Sequence, residues 1–190
     1  MANADAAFGA IPIKHLDGSP YNGMVNEYYI AAATDANVMA IGDLVIHGGD
    51  ADADGVPLAV QATAGATSIL GSIVGFRPDN TNANLTHRAA STLRYFLVAD
   101  GPDLVYRMQE DSDGAALVVG DVGKNCDIIV AAADSTIGVS RMEIDSSTNV
   151  TSAANVRILR LYRDGVNVTG NQAVWEVMIN EHFYKTTSGV

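Results

Sequence analysis

The stretch AVWEVMINEHFY, residues 173–184, decides the class of fold expected for this chain. Four of its large apolar side chains stand at odd-numbered positions, namely Trp175, Val177, Ile179 and Phe183. Polar side chains occupy alternate positions, namely Glu176, Asn180 and His182. Successive side chains of a strand point to opposite faces of a sheet. We therefore predict a strand with one core face and one face toward solvent or a partner.

Nine further segments combine β-branched or aromatic residues with flanking turn residues, as strands do. They are residues 24–31, 41–47, 57–63, 69–77, 93–99, 104–109, 126–132, 138–144 and 156–163. Asp outnumbers Glu by 17 to 5 and there are 18 glycines, a bias that favours turns over helices. We predict an all-β fold in which a β-sandwich or β-barrel forms a single domain over residues 24–190, with few short helical turns.

The N-terminal segment, residues 1–23, fits neither the strand nor the helix period and contains three glycines and two prolines. We predict an extended arm. Its apolar side chains could add a strand to an exposed sheet edge of a partner, using main-chain hydrogen bonds. They are Phe8, Ile11, Ile13, Leu16 and Tyr21. The alternative is that the arm packs on its own domain.

Charge and cysteine content restrict the partners and the compartment. The chain of 190 residues has 22 acidic and 11 basic residues and a net charge of -11, which argues against nucleic acid as a partner. Cys126 is the single cysteine, so no intrachain disulfide forms, and its apolar surroundings predict a buried, inert thiol. No apolar run reaches the length of a membrane span, and we expect folding in a reducing cytosol without membrane contact.

An acidic stretch, GGDADADG at residues 48–55, resembles the start of a calcium loop of the EF-hand type. Asp50, Asp52 and Asp54 have the required spacing, but Gln61 stands where the loop needs a bidentate Glu. The flanking segments also have strand rather than helix character. We predict a solvated hairpin turn and no metal or other cofactor, with these three aspartates as the one candidate metal site.

Catalytic motifs are missing from the sequence. The four histidines show no metal-ligand spacing and are interpreted as surface or interface side chains. Asp100 and Asp103 could in principle act as acid and base, but Asp-Gly-Pro-Asp is also typical of a tight turn. An enzyme would need a pocket in which these carboxylates converge. We predict that the protein is not an enzyme.

Several turn-and-strand segments spread over most of the chain carry a family resemblance. They are Phe8-Gly9 with Pro12, LDGSPYNG (16–23), IGDLV (41–45), DGVP (54–57), GSIVGF (71–76), RYFLVADGPD (94–103), DVG (121–123), GVS (138–140) and NEH (180–182). In these the sequence resembles the head decoration, or cement, proteins of tailed bacteriophages. The resemblance implies a β-rich body, symmetric clusters on the capsid lattice and no chemistry.

The expected role is therefore to bind the outer surface of a phage head and to stabilise the expanded shell by bridging neighbouring capsid subunits. The expected partners are the major capsid protein and further copies of this chain, as a trimer first and a dimer second. The expected location is the outer capsid surface of the virion, after assembly in the host cytoplasm. The alternative is a virion-exposed binding module that depends on carbohydrate or calcium.

Further contacts with the capsid or with other copies are expected from two groups of side chains. The outward apolar residues of the last strand are Met178 and Tyr184, which could equally belong to the core. The basic residues of the preceding strand are Arg157, Arg160 and Arg163. These arginines could pair with an acidic capsid surface or with the chain's own acidic residues.

Overall fold

The computed structural model describes residues 3–78, 83–187 and 189. The described residues form twelve strands: β1 (Ile11–His15), β2 (Asn26–Ile30), β3 (Leu44–Ala51), β4 (Pro57–Gln61), β5 (Ile69–Phe76), β6 (Arg94–Ala99), β7 (Leu104–Gln109), β8 (Asn125–Cys126), β9 (Ile128–Ile129), β10 (Glu143–Ile144), β11 (Val156–Leu161) and β12 (Val174–Ile179). Three short 3₁₀ turns accompany them, at Val119–Asp121, Ser146–Thr148 and Phe183–Lys185.

The strands form a closed barrel and an open sheet. The barrel has the order β2-β4-β3-β5-β6, and its one parallel pairing, β2 with β4, closes it. The sheet has the order β1-β7-β12-β11-β8 with antiparallel neighbours, and β9 pairs with β10 in a separate ribbon. Strands make up 38% of the chain against 5% helical residues, which confirms the all-β prediction. Each of the ten predicted strand segments contains a strand.

The core has two parts that follow this division. One cluster fills the barrel and includes Tyr28, Ile73 and Phe96. The other lies against the sheet, where Trp175 and Tyr106 pack with Leu44 from a barrel strand. Because residues of both units share the second cluster, the sheet is packed on the barrel. None of the described residues belongs to a helix with the length and apolar character needed to cross a membrane.

The last strand departs from the prediction on its second face. Trp175, Val177 and Ile179 are buried as expected, but Glu176 and His182, assigned to solvent or a partner, are buried as well. Lys14 and Arg160 cover the Glu176 carboxylate from the outer side of the sheet. The strand also ends at Ile179, before the predicted limit, and the chain continues into the 3₁₀ turn at Phe183–Lys185.

The N-terminal segment, predicted as an extended arm, lies on the chain's own body. Its residues 11–15 form β1, the edge strand that pairs with β7, with a bulge between Pro12 and Lys14. An edge strand tolerates Pro12 because proline cannot donate to a ladder. Just before it, the Ala10 amide donates to the Gly42 carbonyl over 2.9 Å. The second of the two alternatives for this segment is therefore the arrangement found.

Candidate functional site

A cleft of about 490 Å³ lies where the barrel and the sheet meet. Three segments form it: the β1–β2 connection, the β6–β7 turn and the C-terminal 3₁₀ turn. Its lining residues are His15, Tyr21, Met24, Val25, Asn26, Asp100, Gly101, Pro102, Asp103, Leu104 and Tyr184. We call this feature the Asp100 cleft. It contains both carboxylates singled out in the sequence.

The carboxylate of Asp100 is committed to the fold. It is buried, and its two oxygens each accept a hydrogen bond of 3.0 Å from the Asn26 amide. The Tyr28 hydroxyl donates to Oδ2 over 2.7 Å, so the Tyr184 hydroxyl, 2.9 Å away, is the donor to Tyr28. Burial is the main cause, and these two hydrogen bonds a further cause, of a Tyr28 pKa well above its ordinary value. Asp100 therefore acts as a link between β2 and the β6–β7 turn.

Asp103 is the more accessible carboxylate of the Asp100 cleft. Its Oδ2 lies 3.0 Å from Nδ1 of His15, and its backbone carbonyl accepts a 2.9 Å hydrogen bond from the Leu16 amide. The turn predicted for residues 100–103 is present, because the Leu104 amide donates to the Gly101 carbonyl. His15 and Asp103 thus form the polar pair of the cleft.

Large apolar side chains stand exposed around the Asp100 cleft. Met24 is 64% exposed, Tyr184 52% and Leu16, beside Asp103, 51%. An apolar rim around a partly polar depression is typical of a surface that binds a partner or ligand. Of the predicted contact residues, Tyr184 lines the cleft and Leu16 lies beside it, whereas Met24 was placed in the predicted strand 24–31 and was not named as a contact residue.

The other arm residues lie against the chain itself. Phe8, Ile11, Ile13 and Tyr21 are partly buried, and the Arg107 guanidinium lies 5.1 Å from the centre of the Phe8 ring. The outer edge of β1 is also occupied, since the His15 amide donates to Ser19 and the Tyr21 amide to Ile13. This leaves little free edge for pairing with another chain.

The remaining predicted contacts are divided between the interior and the surface. Met178 is partly buried in β12. Arg157 donates to the side-chain oxygens of Asn125 at 2.9 Å and Asn180 at 2.7 Å, and Arg160 donates to Glu176 at 2.8 Å. Arg163 is exposed and has no ion pair among the residues that the structure describes. Of the three arginines, Arg163 is the one without a side-chain hydrogen bond or ion pair among the described residues.

The acidic hairpin at residues 48–55 has the conformation of a turn. Asp52 accepts hydrogen bonds from the amides of Asp54 at 2.9 Å and Val56 at 2.8 Å, and the Tyr95 hydroxyl donates to it over 2.7 Å. Within the described ranges, Asp50, Asp52 and Asp54 do not form a group of converging ligand oxygens. The turn follows from the sequence, whose Gly55 adopts a φ of +81°.

Cys126 and His182 are titratable side chains that lie in the protein interior. Burial raises the pKa of Cys126 to about 12, in agreement with the predicted inert thiol. His182 was interpreted as a surface or interface residue, which is wrong, because it is 1% exposed. Its Nδ1 accepts from the Tyr184 amide at 3.1 Å, and it begins the last 3₁₀ turn.

A second exposed apolar surface surrounds the 3₁₀ turn at Val119–Asp121. Its side chains are 37 to 71% exposed, and we call them the valine patch: Val118, Val119, Val122 and Val150. Val150 lies beside the turn because its backbone pairs with Asn125. The carboxylate of Asp121 holds the turn by accepting from the Val118 amide and from Lys124, each at 2.8 Å.

The fold and these surfaces define an all-β protein in which a closed barrel packs on a five-stranded sheet and presents two exposed apolar regions. No protein-family model matches the chain, and neither a curated protein nor a solved structure matches it.

Proposed function

We propose that this chain is a decoration protein of a tailed-phage head, which binds the outer capsid surface and stabilises the expanded shell by bridging neighbouring capsid subunits. Packaged DNA strains the shell, and every added contact between subunits is an interface that the strain must break. Clusters of the protein gain from multivalency, because the first docked copy raises the effective concentration of the others. A homotrimer is the first assembly to test and a dimer the second.

The proposal rests first on the family resemblance in the sequence, and several of the segments that carry it lie next to one another in the folded chain. Residues 16–23 and 94–103 both contribute to the Asp100 cleft. Residues 8–9, 41–45 and 138–140 meet elsewhere, where the Ser140 amide donates to the Ile41 carbonyl over 2.9 Å.

The observation that carries the proposal is the presence of two exposed apolar surfaces on a strongly acidic chain. The rim of the Asp100 cleft and the valine patch each combine several large apolar side chains. A bridging protein needs at least two such contact surfaces, one for the shell and one for its own copies or a second capsid subunit. The net charge of -11 keeps the remaining surface hydrated and repels packaged DNA.

The mode of attachment in this proposal is face-to-face packing rather than strand addition. The arm residues Phe8, Ile11 and Ile13 are partly buried on the chain's own body, and β1 has backbone partners on both edges. Leu16 and Tyr184 remain as predicted contact residues with large exposed areas. We therefore assign the capsid or subunit contacts to the rim of the Asp100 cleft and to the valine patch.

The composition of purified particles tests the role directly. We expect this chain in virions at a fixed ratio to the major capsid protein, measured by quantitative mass spectrometry. The recombinant protein should be a trimer, or second a dimer, by multi-angle light scattering. Absence from purified particles would overturn the proposal.

A matched pair of substitutions tests the valine patch. Val119 and Val166 are both 71% exposed, but only Val119 belongs to the patch. Val119→Asp should weaken assembly or binding to undecorated heads at least tenfold, whereas Val166→Asp should leave both unchanged. Equal losses in the two variants would indicate a general effect of charge and would remove the patch from the proposal.

Carbohydrate binding at the Asp100 cleft is a second candidate function. The cleft combines the rings of Tyr21 and Tyr184 with the polar pair of His15 and Asp103, and sugars are bound by such combinations of apolar faces and hydrogen-bonding groups. A glycan array should then give binding that Tyr184→Ala abolishes. An array without signal would leave the decoration role as the one function to pursue.

A further inference from the structure

Three carboxylates from two distant segments of the chain converge in the folded structure. Asp111 and Asp113 follow β7, and Asp145 follows β10. One oxygen from each lies within 4.8 Å of the others. The fold creates this proximity, because the Asp111 amide donates to the Ile144 carbonyl over 3.1 Å and thereby ties the two segments together. Asp145 lies 32 positions after Asp113 in the sequence.

The Asp111 carboxylate provides a second, independent observation. Asp111 is 5% exposed, and its Oδ1 accepts from the Ser146 amide at 3.0 Å and the Ser146 hydroxyl at 2.7 Å. Its Oδ2 is buried and has no hydrogen-bond donor among the residues that the structure describes. A buried carboxylate oxygen without a donor is costly, and most such atoms in proteins have a partner. A bound cation would supply that partner.

Other acidic side chains lie near the three carboxylates. Glu143 is a further acidic side chain close to both Asp5 and Asp111. The closest basic side chain in the sequence, Arg141, donates to Asp134 over 2.8 Å.

We propose that Asp111, Asp113 and Asp145 form a binding site for a calcium-class divalent cation. Calcium binds oxygen ligands at about 2.3 to 2.6 Å, so two ligands of one ion lie at most about 5 Å apart, and the three oxygens satisfy this limit. The set contains neither the imidazole nor the thiolate that zinc prefers. Asp113 is exposed, so water completes the flexible coordination shell that calcium accepts.

The site would have a structural role. It joins the segment after β7 to the 3₁₀ turn at Ser146–Thr148, two regions otherwise connected through the Asp111 contacts with Ile144 and Ser146. This inference does not depend on the decoration role, because a stabilising cation site needs no partner molecule. It also differs from the hairpin motif, since Asp50, Asp52 and Asp54 take no part.

Calcium titration of the purified full chain tests the site. With calcium at about a hundred times its dissociation constant, the melting temperature should rise by about 5 to 10 °C over the value in chelator. Isothermal titration calorimetry should give one site per chain. Asp113→Asn should weaken calcium binding at least tenfold, while its own melting temperature in chelator should equal or exceed that of the wild type, because a crowded negative charge has been removed.

The matched control is Asp54→Asn, which removes one exposed aspartate from the hairpin motif. It should retain the wild-type affinity and the full rise in melting temperature. No rise in the wild type, or loss of calcium binding in Asp54→Asn but not in Asp113→Asn, would overturn the proposal. The chelator measurement distinguishes loss of the site from failure to fold, because a misfolded variant would melt lower under both conditions.

Discussion

The Tyr28 hydroxyl donates a 2.7 Å hydrogen bond to the carboxylate of Asp100 and so ties a barrel strand to the turn that leads into the sheet. Both groups are buried, and Tyr28 and Asn26 take the place of water around the Asp100 carboxylate. Hydrogen bonds to a buried charged acceptor are stronger than neutral ones. This contact is therefore one of the main polar links between the barrel and the sheet.

Tyr28→Phe should lower the free energy of unfolding by about 1.5 to 3 kcal/mol, because the Asp100 carboxylate and the Tyr184 hydroxyl both lose a buried partner. Urea denaturation measures the change. The matched control is Tyr95→Phe, which also removes a 2.7 Å hydrogen bond to a carboxylate, that of Asp52, but in the acidic hairpin turn. Tyr95→Phe should lower the free energy of unfolding by less than about 1 kcal/mol. If the two substitutions lowered the free energy of unfolding equally, the role of Tyr28 as a link between barrel and sheet would be contradicted.

Gly42 determines whether the N-terminal segment can dock on the barrel. It has a φ of +95°, and a Cβ atom at this position would lie 2.3 Å from the Phe8 carbonyl oxygen. Gly42→Ala should therefore be destabilising through both backbone strain and the clash, by about 3 kcal/mol or more. The Ala10 amide, which donates to Gly42, should lose protection from hydrogen exchange in the same variant.

Gly55 is the matched control for Gly42, because it has a φ of +81° but open space where a Cβ atom would lie. Gly55→Ala should cost about 1 to 2 kcal/mol from strain alone. If Gly42→Ala cost no more than Gly55→Ala, residues 8–10 would not be docked in solution. The N-terminal segment would then be available as an arm for a partner.

Local patterns were sufficient for the strands and the tight turns. The strand residues of β7, the alternation in β12 and the turn at Asp100–Asp103 depend on neighbours in the sequence, and all three were predicted, although β12 is shorter than expected. The strand β1 was missed because Pro12 interrupts its pattern and its partner strand is distant in the sequence. Ile11 pairs with Arg107, and such a contact leaves no local signal.

The sites depend even more on distant contacts. The Asp100 cleft needs His15, Asp103 and Tyr184, which come from three separate segments. The pair of aspartates at 111 and 113 has the same spacing as those in the hairpin, but the sequence does not reveal that Asp145 joins them. The predicted surface role of His182 failed for the same reason. Its burial results from packing of the C-terminal turn against the barrel, where the Ile69 amide donates to the Glu181 carbonyl.

Buried His182 should make stability depend on pH. Burial, with a smaller effect from the charge of Lys185, lowers the pKa of His182 to about 4 from its ordinary value of 6.5. Between these values the unfolded chain binds a proton that the folded chain does not, so this residue's contribution to stability is lost as pH falls from about 6.5 to about 4. At 1.36 kcal/mol per pKa unit, the loss is roughly 3 kcal/mol.

Three buried acids act in the opposite direction. Burial raises the pKa of Asp43 to about 6 and those of Glu110 and Glu143 to about 7, so the folded chain retains protons that the unfolded chain has released. The stabilisation of the folded chain by these protonated acids is present at acidic pH and is lost as the pH rises toward 7. The wild-type profile alone would therefore mix the two effects. The difference between the wild type and a His182 variant separates them.

His182→Asn keeps an acceptor for the Tyr184 amide but removes the titrating ring. At pH 8 the variant should be less stable than the wild type because of the cavity that the smaller side chain leaves. The difference in free energy of unfolding between the two proteins should decrease by roughly 3 kcal/mol as the pH falls to 4. Only the wild type is destabilised at low pH by protonation of His182 in the unfolded chain. Urea denaturation at half-unit steps of pH measures both curves. Parallel curves would show that the His182 ring titrates equally in the folded and unfolded chain.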